Sequence, residues 1–179
     1  FNRAKQQPKT TFIWTKRENK WISHSWEEVS EQVTIIASAL SQRGITAGAR
    51  VAILSENRLE WIIADLAIMY LGAISVPLLT TYNQTDITYL LSHSGARAII
   101  CSNSELTAFA ETAAQGSPNC YLMVIIEQSK LLHHSLNLAI VSWEDLRKEG
   151  IIAIKKSAFL PPKISADDVC CIIYSSIFK

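Results

Sequence analysis

Short apolar runs alternate along this chain with segments of helical periodicity, and this alternation restricts the fold more than any other feature. Because a strand followed by a crossover helix returns to the same sheet, the pattern is typical of parallel sheets with right-handed connections. We therefore predict an α/β fold in which helices sandwich a largely parallel sheet. The predicted strands are 50–54, 74–78, 98–101, 121–126 and 138–141.

The first long helix is predicted from its start and stop signals. Ser25 can cap the first helical N–H groups, and Glu28 lies three residues later, as a capping box requires. Apolar residues then recur on one helical face as far as Leu40, and Gly44 is placed to end the helix in a left-handed conformation. The chain before it, with aromatic and β-branched runs at 12–14 and 20–24, predicts a small N-terminal β-hairpin.

Similar signals predict the remaining helices. Asn57 and Glu60 are spaced as a second capping box, and Gly72 follows the last periodic residue of the helix that they would open. The other predicted helices are 85–93, 103–114 and 142–150.

The last part of the chain has a different pattern. Residues 151–168 contain Pro161 and Pro162 and are predicted to form a connector. Residues 169–174 then form an apolar run without polar alternation, as expected of a strand covered on both faces.

The composition excludes several classes of protein. Hydrophobic residues make up 49% of the 179 residues and the net charge is +1, which predicts a packed core and gives no electrostatic argument for binding nucleic acid or an anionic membrane. The apolar stretch 59–79 contains Glu60 and Asp65, which argues against a transmembrane helix. We expect a cytoplasmic protein.

No cluster of residues has the spacing of a metal site. The four cysteines, Cys101, Cys120, Cys170 and Cys171, form no C-x-x-C pair and are predicted to be buried free thiols. The adjacent pair His133–His134 would point in different directions on a strand or helix. Likewise, the five tryptophans lie among apolar neighbours and are predicted to pack in the core.

Only the last predicted strand is followed by residues suited to binding phosphate. Ser175 and Ser176 place two hydroxyl donors at a strand end, where parallel sheets bind their ligands. A triphosphate loop also needs glycine so that its backbone can approach the phosphates, yet Ile177 and Phe178 follow. Taken alone, the two serines are more typical of an ordinary turn. The dinucleotide and P-loop glycine motifs are absent from the sequence.

Several ordered motifs resemble the adenylate-forming, AMP-binding acyl-CoA synthetases. Residues 48–61 resemble the passage G-D-R-V-A-I…N-R-x-E-W, with Ala49 in place of Asp, and residues 71–78 match G-A-x-x-V-P. Residues 87–97 are similar to I-x-Y-x-L-x-D-S-x-A-K, with His93 in place of Asp. The resemblance runs in register over 11–176 and leans toward the long-chain fatty-acid branch.

This resemblance implies a fold, a reaction and a site. The fold would be the N-terminal lobe of the acyl-CoA synthetase fold, with residues 1–179 as a single incomplete domain. The intact family uses ATP, Mg²⁺ and coenzyme A to convert a fatty acid to its acyl-adenylate and then to a thioester. Ser175 and Ser176 would lie on the Thr and Ser of the phosphate loop Y-T-S-G-T-T-G-x-P-K-G, from which Ile177 and Phe178 depart.

The resemblance also leads to expectations about this chain by itself. We expect it to be inactive alone, to contain no catalytic residue, to bind no cofactor, and to form oligomers or aggregates; peripheral membrane contact is compatible with the family. One alternative is a non-catalytic binding module that retains the lobe's fold. Another, an unrelated nucleotide-binding α/β protein, is disfavoured by the missing glycine motifs.

Overall fold

Helices and strands alternate in the computed structural model, which describes residues 2–127, 138–157 and 159–175. The elements in chain order are α1 (Asn2–Gln6), β1 (Thr11–Arg17), β2 (Lys20–Ser25), α2 (Trp26–Gln42), β3 (Arg50–Leu54), α3 (Leu59–Tyr70), β4 (Ile74–Leu78), α4 (Gln84–Ser94), β5 (Ala98–Cys101), α5 (Ser104–Gln115), β6 (Leu122–Ile125), β7 (Ala139–Ser142) and α6 (Trp143–Lys156).

The main sheet has the strand order β4-β3-β5-β6-β7, and all of its strands are parallel. One face packs against α2, α3 and α6, and the other against α4 and α5. Along β3, Val51 and Ile53 lie in the first core while Ala52 and Leu54 lie in the second, and all four are fully buried. Because both faces are covered, the strands are mostly apolar, and the predicted α/β sandwich is confirmed.

The start of α2 follows the prediction, whereas the start of α3 does not. Ser25 accepts a hydrogen bond from the Glu28 backbone, and Glu28 accepts one from the Ser25 backbone, which completes the capping box. At α3 the N-cap residue is Arg58 and no side chain caps the helix, so the second predicted capping box is wrong. The Glu60 carboxylate instead pairs with Arg58 at 2.9 Å and with Arg17 at 3.5 Å, because two cations lie within its reach.

The predicted N-terminal hairpin is confirmed as the antiparallel pair β1–β2. Its two turn residues, Glu18 and Asn19, have φ angles of 47° and 62°, which corresponds to the type I′ geometry that suits the twist of a two-residue hairpin. Trp14 and Trp21 on this hairpin are exposed, so the prediction that the tryptophans pack in the core is wrong for these two.

Helix α6 does not end at Gly150 as predicted but continues to Lys156, so the first residues of 151–168 are helical. Gly150 is buried in the interior of the helix, where a Cβ atom would overlap the backbone carbonyl oxygen of Ile35 in α2. The glycine therefore permits a close approach of two helices rather than a helix end.

Residues 169–174 do not form the predicted strand covered on both faces. Cys171 forms a single parallel bridge with Ser75 of β4, and Val169 and Ile173 are 62% and 75% exposed. In the part of the chain that the structure describes, β4 is the only strand beside this segment, so one side is left uncovered. As a consequence Cys170 and Cys171 are exposed, while the other two free cysteines, Cys101 and Cys120, are buried as predicted.

Candidate functional site at the carboxyl edge of the sheet

The chain changes direction across the sheet after β3, since β4 lies on one side of β3 and β5 on the other. Open parallel sheets bind ligands at the carboxyl ends of the strands beside such a switch point, because the two following loops diverge there. The loops at this point begin with Ser55 and Glu56 after β3, and with Ser102 and Asn103 after β5.

A protein carboxylate occupies the switch point. The Ser102 hydroxyl donates to Glu56, and Nδ2 of Asn103 donates to the other Glu56 oxygen at 2.7 Å. The hydrogen bond from Ser102 is the main reason that the pKa of Glu56 lies below its ordinary value, so this group is an anion at neutral pH. An anionic ligand such as a phosphate would be repelled at this position.

A cleft lies beside β4, also at the carboxyl edge of the sheet. Its volume is about 710 Å³, and Ser175 lies at its rim. The other lining residues are Leu79, Thr81, Tyr82, Asn83, Asp86, Tyr89, Leu90, His93 and Tyr174. Ser175, one of the two predicted phosphate-binding residues, is exposed; the other, Ser176, lies outside the described residues.

Three rings from two parts of the chain meet in this cleft. Tyr89 and His93 both belong to α4, and their rings stack on each other with centroids 5.4 Å apart. The Tyr174 ring meets the His93 ring edge-on, with centroids 5.7 Å apart. A hydrogen bond of 2.8 Å joins Nδ1 of His93 to the Tyr174 phenol oxygen. The arrangement fixes the residue that precedes Ser175.

Sequence reasoning missed this cluster. Tyr89 and His93 are four residues apart on a helix and therefore share a face, which is a visible signal. Their contact with Tyr174 depends on how α4 packs against residues 169–175, and a local sequence pattern does not predict such packing. His93 is exposed yet hydrogen-bonded.

The start of α4, beside this cleft, is capped by its own side chains. Asn83 accepts from the Asp86 backbone at 2.9 Å, and Asp86 accepts from the Asn83 backbone, so the capping box is complete. The Asp86 carboxylate also adds negative charge where a phosphate would otherwise be attracted.

The described residues form neither a metal-binding cluster nor a membrane-spanning helix. Within 2–127, 138–157 and 159–175, no group of three or more His, Cys, Asp or Glu side chains could hold a metal ion. That His133 and His134 do not form a metal site stays a prediction, because both lie outside the described residues. None of the helices described is long and apolar enough to cross a membrane.

Known proteins share both the sequence pattern and this architecture. Residues 1–176 match the family described as AMP-binding enzyme. The long chain acyl-CoA synthetase 6, peroxisomal, of Arabidopsis thaliana is 30% identical over 166 residues, which cover 90% of this chain and 23% of that protein.

Solved structures support the same fold. Coronafacic acid ligase from Pectobacterium brasiliense superposes with a TM-score of 0.80 at 19% identity, over 97% of this chain and 32% of that one. The A domain of carboxylic acid reductase from Segniliparus rugosus, solved with AMP and a co-purified carboxylic acid, superposes with a TM-score of 0.75 at 19% identity, over 92% of this chain and 30% of that one.

The chain thus spans about a quarter of the length of the curated relative and about a third of these solved chains. Its five-stranded parallel sheet and antiparallel hairpin have the fold of the N-terminal domain of adenylate-forming enzymes. With a family match over nearly every residue, this chain belongs to the AMP-binding enzymes.

Proposed function

We propose that this chain is the N-terminal part of an ATP-dependent acid–thiol ligase that converts a fatty acid to its acyl-CoA thioester. The supporting observation is the position of Ser175. The segment before it runs beside β4 to the carboxyl edge of the sheet, and the segment's sequence resembles the strand that leads into the family's phosphate loop.

In this proposal Ser175 and Ser176 donate hydrogen bonds to phosphate oxygens of ATP. A carboxylate oxygen of the acid attacks the α-phosphorus, and pyrophosphate leaves with the electrons of the broken P–O bond. The thiolate of coenzyme A then attacks the acyl carbon, and AMP leaves. Donors aimed at the growing negative charge lower such barriers by about 3 kcal/mol each. Mg²⁺, coenzyme A and the acyl chain would be bound by the rest of the intact enzyme.

The substrate proposed is a long-chain fatty acid. Two observations support it, namely the motif N-R-x-E-W-x-x-A-D-x-A over 57–67 and the similarity to a relative named as a long chain acyl-CoA synthetase. That relative is also named as peroxisomal, so a cytoplasmic location stays a prediction.

The alternative function is a non-catalytic binding module with the same fold. It is favoured by one observation, since Ile177 and Phe178 stand where the family's phosphate loop has glycine and threonine. A β-branched and an aromatic side chain would hold the backbone away from a phosphate. We propose on this ground that residues 1–179 do not turn over ATP by themselves.

Two measurements on the native gene product separate these proposals. Intact mass spectrometry gives its length, and a coupled assay with ATP, Mg²⁺, coenzyme A and palmitate detects acyl-CoA. The ligase proposal expects a longer polypeptide that forms palmitoyl-CoA and loses this activity in the double variant Ser175→Ala/Ser176→Ala. A native product that ends at Lys179 and forms no thioester would overturn it in favour of the binding module.

A further inference from the structure

Basic residues are distributed very unevenly along this chain, although its net charge is only +1. The first 25 residues contain six of the 17 basic residues and only one of the 16 acidic residues, Glu18. The remainder of the chain is therefore acidic overall. The positive segment contains α1 and the hairpin β1–β2, so the charge is concentrated at one structural unit.

The same hairpin exposes two large aromatic side chains. Trp14 is 57% exposed and Trp21 is 65% exposed. Trp21 lies directly opposite Lys16 in the antiparallel register, and Lys16 and Trp14 are two residues apart on one strand. The three side chains therefore share one face of the hairpin, where the Lys16 ammonium lies 5.9 Å from the centre of the Trp21 ring.

The tip of the hairpin holds two cations opposite each other. Arg17 pairs with Lys20 across the type I′ turn, and like charges in directly opposed positions destabilise an antiparallel pair. Glu60 of α3 lies 3.5 Å from Arg17 and offsets one of the two charges. This pair lies on the opposite face of the hairpin from Trp14, Lys16 and Trp21, and it adds positive charge beside that face.

Part of the hairpin is separated from the domain by a cleft. A cleft of about 580 Å³ lies between it and the start of α3, lined on one side by Trp14 and Trp21 and on the other by Trp61. Phe12 and Trp26 attach the hairpin's base, with ring centroids 4.0 Å apart. The tip is held to α3 by the Arg17–Glu60 ion pair, while the rings of Trp14 and Trp21 remain largely exposed.

We propose that the hairpin β1–β2 is a contact site for an anionic lipid surface. Tryptophan is favoured at the boundary between water and hydrocarbon, because its ring is apolar and its N–H is polar. A lysine beside such rings extends toward lipid phosphates, and Lys16 lies on the same face of the hairpin as both tryptophans. The charge of α1 and the hairpin is complementary to an anionic leaflet, while the acidic remainder would orient the domain away from it. This inference does not depend on the proposed catalytic function.

Co-sedimentation with vesicles tests the proposal on the purified protein. One set of vesicles is phosphatidylcholine alone, and the other contains about one third phosphatidylserine. We expect binding to the anionic vesicles that weakens as salt is raised from about 0.05 to 0.5 M, because salt screens surface charges. Trp14→Ser/Trp21→Ser should weaken it about tenfold, since both rings leave the interface.

Neutralising the basic tip gives a second, independent variant. Each basic residue near an anionic surface strengthens binding about fivefold, so Lys16→Gln/Lys20→Gln should weaken it about 25-fold. Two matched controls are Phe109→Ser, an exposed aromatic residue on α5, and Lys155→Gln/Lys156→Gln at the end of α6. Circular dichroism and thermal melting verify that each variant is folded.

Three results would overturn the proposal. The first is no sedimentation with either kind of vesicle, which would leave a protein partner as the occupant of this surface. The second is equal, salt-independent binding to both kinds, which would show that charge has no part. The third is equal affinity for the hairpin variants and their matched controls.

Discussion

A hydrogen bond of 2.8 Å joins Nδ1 of His93 to the phenol oxygen of Tyr174, across 81 residues of sequence. It helps to hold the last described segment in place. A further attachment is the bridge to β4, in which the Ser75 backbone donates to the Cys170 carbonyl at 2.9 Å and accepts from the Ile172 amide at 2.9 Å. Ser175 is therefore placed at the cleft by α4 and β4 together.

Removing the phenol oxygen should loosen this segment without changing the core. Tyr174→Phe keeps the ring contact with His93 and loses a partly exposed hydrogen bond, so we expect a loss of about 0.5–1 kcal/mol in local stability. Hydrogen exchange at the Ile172 amide is the measurement, and it should become several-fold faster. Tyr89→Phe is the matched control, because Tyr89 contributes its ring to the stack. Unchanged exchange in Tyr174→Phe would contradict the attachment.

Gly150 should not tolerate even a methyl group. An added Cβ would overlap the carbonyl oxygen of Ile35 and lie 2.9 Å from its carbonyl carbon, so α6 would have to move away from α2. Alanine is the better helix former, yet we expect Gly150→Ala to lower the free energy of unfolding by about 1–3 kcal/mol, as overpacking does. Urea denaturation measures this.

Gly48→Ala is the control for Gly150→Ala, because it introduces backbone strain without a steric overlap. Gly48 has φ +75° and nothing within 4 Å of its Cβ position, so alanine there meets only the cost of a left-handed backbone, about 1–2 kcal/mol. Equal or greater stability of Gly150→Ala relative to the unmodified protein would show that the two helices do not approach as closely as described.

Acid should weaken the hydrogen bonds by which Glu56, in the loop after β3, binds Ser102 and Asn103, in the loop after β5. The hydrogen bond from Ser102 holds the pKa of Glu56 below its ordinary value of 4.5, so the folded state binds fewer protons than the unfolded state in this range. The resulting stability is present above pH 4.5 and is lost as the pH falls through the folded pKa. Glu56→Gln should therefore lower the melting temperature at pH 7 and change it much less at about pH 3.

Ser102→Ala gives an independent check of the same link, because the hydroxyl is the main cause of the lowered pKa. We expect this variant to lose most of the pH dependence that Glu56→Gln loses. Melting curves for Glu56→Gln that differ from the unmodified protein equally at both pH values would contradict this account.

The uncovered segment beyond β4 should make residues 1–179 associate. Leu160, Val169 and Ile173 are largely exposed apolar residues, and surfaces of this kind promote self-association. We expect oligomers in size-exclusion chromatography and a shift toward monomer in Val169→Lys/Ile173→Lys. A single monomeric peak for the unmodified chain would contradict the prediction.

The parts of the fold that depend on local pattern were predictable from the sequence. The bounds of β3, β4 and β5 agree with the apolar runs at 50–54, 74–78 and 98–101, because strands covered on both faces consist mainly of apolar residues. The capping box at Ser25 was predictable for a similar reason, since both of its partners lie within one helical turn.

The errors fall where distant residues decide the outcome. Gly150 has the sequence signal of a helix end, but the backbone of Ile35 is what requires glycine there. Glu60 has the spacing of a capping residue, but it forms an ion pair with Arg17 of the hairpin instead. In the candidate site, Ser175 was predictable as a strand-end hydroxyl, whereas the contact of Tyr174 with His93 was not.

The proposal that residues 1–179 do not turn over ATP by themselves is tested most directly by measuring pyrophosphate release from purified residues 1–179 with ATP, Mg²⁺, coenzyme A and a long-chain fatty acid. Because the residues after Ser176 do not supply the glycines that a triphosphate loop requires, we expect no release above the background without fatty acid. Release of pyrophosphate that depends on the fatty acid and is abolished by Ser175→Ala/Ser176→Ala would contradict the account.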